Sequence, residues 1–384
     1  MYTRPRHAAA IHALLEEFPV VGLIGARQVG KSTLARTIAD AYASSHVFDL
    51  EDPADAAALA APGSLRDTRG LVVLDEIHHA PNLFGILRFL ADRPGRPARF
   101  LILGSASPVL LRQASESLAG RIAWYELEGL ALDEVDDLTA LHMRGGLPAS
   151  LGARTDAASG RWREQYVRNL VERDLRDLGL PLAPPDARRL WTMLAHSHGT
   201  TLNASELGRS FGASDHAVRR HVDLLSHALL IRPLLPWHAS ISKRQVRAPK
   251  LYIADPGVLH TLLGLPDRRA VESHPIVGRS WEGFAIAQVC QRLEVEAERR
   301  YFWGTHAGAE LDLLVEVDGR RLGFEIKWTE APGPTKSMRI ALADLELDHL
   351  YVVHRGTRTF PIDDDITALA LARVWSDLPR RARA

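Results

Sequence analysis

The sequence predicts an α/β chain in four segments: a parallel-stranded α/β unit, a helical segment, a helix-turn-helix with a wing, and a second α/β unit. Three observations carry that prediction. Apolar runs at residues 20–24, 71–74 and 100–103 have the length and composition of strands buried on both faces. The first runs into Gly25-Ala-Arg-Gln-Val-Gly-Lys-Ser32, a glycine-rich turn ahead of a helical pattern. Far downstream, Asp318-Gly319 separates two alternating stretches, a strong short-range hairpin signal.

The 384 residues exceed one ordinary core, so two or three domains are expected. Apolar residues make up 46% and charged residues 24%, and no apolar run reaches the roughly 18 residues of a membrane helix. The first seven residues lack an apolar leader core. Cys290 is the only cysteine, which excludes a disulfide framework and a cysteine metal site. These features predict a soluble cytoplasmic protein with no membrane partner. Lys plus Arg and Asp plus Glu both number 47, so any affinity for nucleic acid must come from local clusters.

Residues 7–18 read as a helix leading into the strand at 20–24. The next turn has the pattern G-x-x-x-x-G-K-S, followed by a helix over residues 33–40 with Leu34, Ala35 and Ile38 on one face. Backbone N–H groups and the positive end of that helix converge on one anion. Gly25, Ala26, Arg27, Gln28, Val29, Gly30, Lys31, Ser32 and Thr33 are therefore the expected cradle for the phosphates of ATP. Lys31 would reach the β- and γ-phosphates, and Ser32 would offer its hydroxyl to Mg²⁺.

Residues 46–50 form a plausible second strand. Leu71-Val-Val-Leu-Asp-Glu76 places two acids at the end of a buried strand, the shape of a Walker B segment. Asp75 would hold the Mg²⁺ shell and Glu76 would orient the attacking water. Residues 99–104 give another buried strand ending at Gly104-Ser-Ala-Ser107. Ser105 is the candidate for sensing the γ-phosphate, the alternative being a turn serine bonded to its own backbone. Arg121, closing Ser117-Leu-Ala-Gly-Arg121, is either an arginine finger acting in trans or a solvated helix-end charge.

Together, Gly-Ala-Arg-Gln-Val-Gly-Lys-Ser, Leu-Asp-Glu-Ile-His-His-Ala-Pro, Leu-Gly-Ser-Ala-Ser and Ser-Leu-Ala-Gly-Arg resemble the prokaryotic AAA-type ATPases that carry a C-terminal domain. The resemblance continues through Gly145-Gly-Leu-Pro148, Tyr166-Val-Arg-Asn-Leu-Val-Glu-Arg-Asp174, Pro249-Lys-Leu-Tyr-Ile-Ala-Asp-Pro-Gly257 and Phe324-Glu-Ile-Lys327. It implies an AAA-type ATP-binding domain, a winged helix and a C-terminal domain similar to PD-(D/E)xK nucleases. Relatives carry Thr where this chain has Leu103, which leaves the sensing role to Ser105.

Residues 150–160 are small and polar and read as a surface loop, followed by a charged helix over 161–178 and a stop at Pro181-Leu-Ala-Pro-Pro185. Residues 186–236 read as three short helices. Those at 203–212 and 214–225 have helix-turn-helix spacing, with Val218, Val222 and Leu225 inward and Arg219, Arg220 and His221 on or near the exposed side. Residues 231–237 and the basic Lys243-Arg-Gln-Val-Arg247 read as paired wing strands. Arg219, Arg220, Lys243, Arg244 and Arg247 are the candidate DNA contacts. The alternative is a joint between domains or subunits in which these arginines pair with acids.

In the C-terminal hairpin, Val317 faces Arg320, Glu316 faces Arg321, and the register carries outward to set Asp312 opposite Glu325. Lys327, two residues on, points the same way as Glu325. Leu311, Leu313, Val315, Val317, Leu322, Phe324, Ile326 and Trp328 would line the other, apolar face. Asp312 and Glu325 would hold Mg²⁺ or Mn²⁺ with Lys327 beside them. By the resemblance, Glu282 on the helix over 280–293 matches the helix acid of such nucleases. The alternative is an amphipathic hairpin with a solvated charged face.

The expected segments are thus a P-loop AAA-type ATPase domain (1–135), a helical linker or lid (136–185), a winged helix-turn-helix (186–248) and a nuclease-like α/β domain (249–384). The expected function is ATP hydrolysis coupled to action on nucleic acid, with Mg²⁺-dependent strand cleavage or, alternatively, an inert DNA- or protein-binding scaffold switched by ATP. A homo-oligomer is expected because AAA-type sites take an arginine from a neighbour.

Overall fold

Five parallel strands and, separately, a nine-stranded mixed sheet organise the chain. The computed structural model describes residues 2–61, 63–104, 114, 116–237, 248–305 and 308–379. They group into two units, one running to Gly129 and one from Leu130 onward, with His227–Leu229 counted in the first.

The first unit opens with α1 (Pro5–Glu17), whose proline stands where a helix N–H has no partner anyway, and which buries Ile11 and Leu15. There follow β1 (Val20–Gly25), α2 (Lys31–Asp40), β2 (Ser45–Asp49), α3 (Pro53–Ala60), β3 (Gly70–Asp75), α4 (Leu83–Ala91), β4 (Ala98–Gly104) and β5 (Ile122–Leu127). The strands lie in the order β2-β3-β4-β1-β5, all parallel. Unbroken apolar runs suit this arrangement because both faces of β1, β3 and β4 are covered. Leu71, Val72, Val73 and Leu74 are at most 1% exposed. The order inserts β4 between β3 and β1, and it aligns every strand's C-terminal end on one edge, the edge where open α/β sheets bind ligands. Leu103 is fully buried on β4, paired with Leu23.

The second unit begins with α5 (Leu138–Arg144) and α6 (Asp156–Asn169). The segment expected as a surface loop is instead structured. Pro148–Leu151 is a helical turn, and Thr155 caps α6 through a bond from Ala158 N. Ser150 and Ser159 are fully buried. Their hydroxyls accept from the buried Arg163 at 3.1 and 2.5 Å, so composition misled where an internal cation needed small polar partners. After α6 the helix widens into a π-helical stretch, Leu170–Asp174. The charged helix ends at Leu178 as expected, and the prolines at 184 and 185 fall in the first turn of the next helix, α7 (Pro184–His196).

Next come β6 (Thr200–Thr201), α8 (Ala204–Phe211) and α9 (Asp215–His227). Asn203 caps α8, Gly212 ends it with φ 82°, and Ser214 Oγ accepts from Ala217 N at the start of α9. Val218, Val222 and Leu225 are buried as the spacing predicts. His221 is buried with them, not exposed, because three residues after Val218 is still the inward face. The strand β7 (Ile231–Pro236) pairs antiparallel with β8 (Lys250–Ile253), and β8 pairs with β6. Thus β7 takes residues 250–253 as a partner; Lys243, Arg244 and Arg247 lie outside the described residues.

The chain continues through α10 (Pro256–Leu262), α11 (Val277–Leu293), β9 (Arg300–Gly304), β10 (Glu310–Val317), β11 (Arg320–Lys327), α12 (Lys336–Asp344), β12 (His349–His354), β13 (Phe360–Asp363) and β14 (Ile366–Ala370). A short parallel pairing of β7 with β9, Leu235 to Tyr301 and Pro236 to Phe302, joins β6, β8 and β7 to the C-terminal strands in one sheet. Its order is β13-β14-β12-β11-β10-β9-β7-β8-β6.

The hairpin register is the predicted one, from Val317↔Arg320 to Leu313↔Phe324. Its two faces differ less than expected. Helix α11 packs on β10 and β11, and α12 packs on the sheet through Met338, Ala341 and Leu345. An irregularity between Leu311 and Leu314 breaks the alternation against β9. Leu311 consequently joins Leu314 in one buried cluster instead of sharing a face with Leu313 and Val315. On the charged face Asp312 and Glu325 are buried, whereas Glu316, Arg321 and Lys327 stay partly exposed.

Candidate functional site

At the C-terminal end of β1 the chain turns through Gln28 (φ 59°) and Gly30 (φ 103°) and enters α2 at Lys31. Gly30 supplies a left-handed conformation that a β-carbon disfavours. Val29 anchors the loop at 1% exposure, while Arg27 and Gln28 are exposed. Lys31 is buried at 7% exposure, and its Nζ donates to Gly25 O at 3.0 Å and Ala26 O at 3.2 Å. Burial lowers its pKa, against the opposing charges of Glu76 and Asp75. The ammonium therefore sits in the loop's own concavity, bonded to carbonyls.

Asp75 ends β3 beside Asp49 of β2 and is hydrogen-bonded to Ser32. Burial raises its pKa, Ser32 works against the rise, and Glu76 and Asp49 add to it. Glu76 holds a left-handed backbone (φ 51°), a conformation that non-glycine residues keep only where the surroundings enforce it. Its N–H donates to Asp75 Oδ1 at 3.0 Å, and His78 Nδ1 lies 3.2 Å from its carboxylate. Burial opposes ionisation of Glu76, yet the bond from His78 and the charge of Lys31 outweigh it and leave its pKa low. A carboxylate, a hydroxyl and an ammonium thus meet at one strand edge, with a second carboxylate ionised alongside. Ser32 and Asp75 are hard oxygen donors suited to Mg²⁺.

Arg121 is committed elsewhere within the chain. Its Nε and Nη2 grip both oxygens of Asp92 at 2.7 and 2.8 Å, and Nη1 donates to Ala119 O. Ser105 lies outside the described residues. Arg219 and Arg220 are exposed on α9.

The predicted C-terminal acids do come together. The ladder with β11 closes at Leu313↔Phe324, and Asp312, next along β10, accepts through Oδ2 from Ile326 N at 2.8 Å, beside Glu325. Lys327 Nζ donates to Glu325 Oε1 at 2.6 Å. Glu282, from α11, completes the group. Two residues escaped the sequence reading. Lys250 Nζ lies 3.3 Å from Glu282 Oε1 and 3.7 Å from Asp312 Oδ1, and Tyr252 donates to Glu282 Oε1 at 2.5 Å. Both come from β8, two positions apart, so strand periodicity sends them to one face; that alternation was the available signal.

Burial and the Asp312 charge raise Glu325 and Glu282 each to about 7, with Lys327 opposing at the first and Lys250 at the second. Burial opposes the charge of Lys250, but Glu282 and Asp312 raise its pKa overall and keep it an ammonium. Glu325 is 6% exposed and its Oε2 has no hydrogen-bond partner. An orphaned carboxylate oxygen among hard donors fits a Mg²⁺ or Mn²⁺ ion. Even so, among the described residues no three His, Cys, Asp or Glu side chains are grouped to hold a metal by themselves.

The sequence stretch around Gly145 and Asp255 has a structural explanation. Asp255 is half-buried, caps α10 through Val258 N at 2.9 Å, and accepts from Gly146 N at 2.7 Å. A β-carbon at Gly145 would fall 2.0 Å from Asp255 Oδ1, so the glycine admits the carboxylate.

Comparison with known proteins divides the chain among three family models: an AAA domain over residues 17–136, and domains of unknown function over 135–269 (DUF8612) and 277–374 (DUF4143). The uncharacterized protein Rv2008c of Mycobacterium tuberculosis is 47% identical over 365 residues, covering 94% of this chain and 82% of that one. The uncharacterized protein Mb2031c of Mycobacterium bovis matches equally. Among solved structures, the Walker-type ATPase paby2304 of Pyrococcus abyssi aligns at a TM-score of 0.48 and 14% identity, over 68% of this chain and 96% of that one. A DNA replication initiation factor aligns at 0.25 and 13%, over 58% and 92%. No helix among the described residues is long and apolar enough to cross a membrane.

Proposed function

Since the chain belongs to the same family as the mycobacterial proteins Rv2008c and Mb2031c and contains an AAA domain, we propose that it binds Mg²⁺-ATP, hydrolyses it, and couples hydrolysis to nucleic acid. The observation that carries the proposal is the meeting of Lys31, Ser32, Asp75 and Glu76 at one strand edge, with Ser32 bonded to Asp75. Backbone N–H groups of residues 26–33 cradle the phosphates, and Lys31 exchanges its two carbonyl partners for phosphate oxygens. Ser32 and Asp75 would hold Mg²⁺, which would neutralise phosphate charge. Glu76, kept ionised by His78 and Lys31, orients the attacking water. Arg121 acts in trans within an oligomer, leaving Asp92 to reach a neighbour's γ-phosphate. Lys31→Ala is expected to abolish nucleotide binding, and Glu76→Gln to bind nucleotide without turning it over. Full turnover by the Lys31→Ala protein would overturn the assignment.

Residues 1–135 then form the motor, 136–185 a linker, 186–248 a winged helix and 249–384 a nuclease-like domain. The Asn203 and Ser214 caps, the inward Val218, Val222 and Leu225, and the β6–β8–β7 ribbon support the winged-helix reading. Arg219 and Arg220 are its phosphate contacts. The helix α11, the hairpin β10–β11 and the trio Asp312, Glu325 and Lys327 support the nuclease-like reading, with two acids for Mg²⁺ or Mn²⁺ and a lysine for the phosphate. A second reading, an ATP-switched scaffold that binds without cutting, is favoured by Lys250, whose ammonium already serves two of the acids.

A further inference from the structure

The three carboxylates of the C-terminal cluster converge from α11, β10 and β11, yet they meet two ammonium groups rather than open space. Lys327, whose side chain is the more exposed, pairs with Glu325 at 2.6 Å. Lys250 is different. Its side chain is 12% exposed, and its Nζ lies within 3.3 Å of Glu282 and 3.7 Å of Asp312. On its other side the ring of Phe302 stands 5.5 Å away, in cation–π range. Glu325, the third acid, keeps one buried oxygen without a partner. Its neighbours supply charge to the cluster, but no donor reaches that oxygen.

We infer that Lys250 is the built-in cation of this cluster, holding the place between Glu282 and Asp312 that a divalent ion would take, so that metal enters only when the lysine leaves. The inference rests on reading the cluster as a cation site and adds the residue that controls its occupancy. Ammonium and metal compete for the same carboxylate lone pairs, and like charges at this separation exclude each other in a buried site. Lysine suits a displaceable role because its charge is a point on a flexible four-carbon stem. With Lys250 in place, the three acids and two lysines sum to one negative charge, and one proton shared among the acids brings the cluster to neutrality. A divalent ion that replaced Lys250 would reach the same neutrality without the proton, and would give Glu325 Oε2 a partner.

The test measures Mn²⁺ binding by electron paramagnetic resonance on the full, nucleotide-free chain. Asp312→Asn proteins are measured in parallel, to subtract ions held at Asp75 and Ser32. Lys250→Met is expected to bind one Asp312-dependent Mn²⁺ at least about tenfold more tightly than the parent, the least that removing a unit like charge within roughly 4 Å should do. Lys250→Met with Asp312→Asn should lose that gain. If Lys250→Met folds poorly, Lys250→Gln keeps a donor for Glu282, and Mn²⁺ should then raise its melting temperature more than the parent's. A Lys250 variant that folds only with Mn²⁺ supports the inference. Variants that bind Mn²⁺ no better than the parent, or stay unfolded with it, overturn it. Tight Asp312-dependent binding by the parent would remove the role of Lys250 and keep the cation site. No Asp312-dependent ion in any protein would remove both.

Discussion

Replacing Glu325 by Gln should make the protein more stable at alkaline pH and change little in acid. Glu325 is 6% exposed, and burial together with the Asp312 charge lifts its pKa from 4.5 to about 7. A carboxyl raised on folding binds its proton more tightly in the folded state. Its stabilising contribution is therefore complete below pH 4.5 and is lost as pH rises through 7. The difference of about 2.5 units, at 1.36 kcal/mol each, puts the loss at roughly 3 kcal/mol above pH 7. Glutamine has the same shape and carries no charge to bury, so that loss should largely disappear. Urea unfolding of parent and Glu325→Gln at pH 8.5 and at pH 5 reads the difference, with tryptophan fluorescence as the signal. The variant should gain on the order of 3 kcal/mol relative to the parent at the higher pH, and little at the lower. Equal stability at both pH values would show that Glu325 is not held against its own repulsion. Lower stability at pH 8.5 would show that the Lys327 pair outweighs burial and refute the reasoning.

Arg121→Ala should lower ATP turnover at saturation without weakening nucleotide affinity, and parent turnover per chain should rise with protein concentration; concentration-independent, unaltered turnover removes the finger. Arg219→Ala and Arg220→Ala should each flatten the dependence of log DNA affinity on log salt by about one unit, measured by fluorescence anisotropy, and unchanged slopes place the contacts elsewhere. His260 is held down to about 4 by burial, with the Met143 carbonyl opposing, and shares the Ser280 hydroxyl with buried His142. Because its folded pKa is depressed, the unfolded chain takes up the proton first, and stability falls as pH drops from 6.5 towards 4, by up to about 3 kcal/mol. His260→Gln, whatever its stability at pH 7, should lose less between pH 7 and 4.5 than the parent does; an identical loss would disprove the assignment.

Legibility followed the range of the interactions. The strand–turn–helix around Lys31 and the strand ending at Asp75 were readable because each is set within a strand and one turn. The hairpin register was readable because Asp318-Gly319 imposes it locally, and Val317↔Arg320 follows. What escaped depended on partners far along the chain. Ser150 and Ser159 looked like loop residues until Arg163 was seen between them. His221 looked exposed because its neighbours are arginines, although its position on the helix turns it inward. Lys250 and Tyr252 looked like ordinary strand residues, since Glu282 is 32 positions away from one and 30 from the other.

These long-range partners give the two sites a common physical character. In the phosphate loop the Lys31 ammonium is bonded to Gly25 O and Ala26 O; in the C-terminal cluster the Lys250 ammonium is paired with Glu282 and Asp312. Lys31 is buried and Lys250 is largely shielded, so neither can be left unpaired cheaply when its site lacks a ligand. Their releases should differ in kind. Lys31 gives up two neutral carbonyls for phosphate oxygens of full charge, an exchange that favours the incoming ligand. Lys250 would have to give up carboxylates, and a metal ion must match that pairing before it gains anything. On this argument nucleotide enters its site readily, whereas the C-terminal cluster stays closed to metal until something else draws Lys250 away. An anionic ligand that offered Lys250 a phosphate in place of its carboxylates would do so.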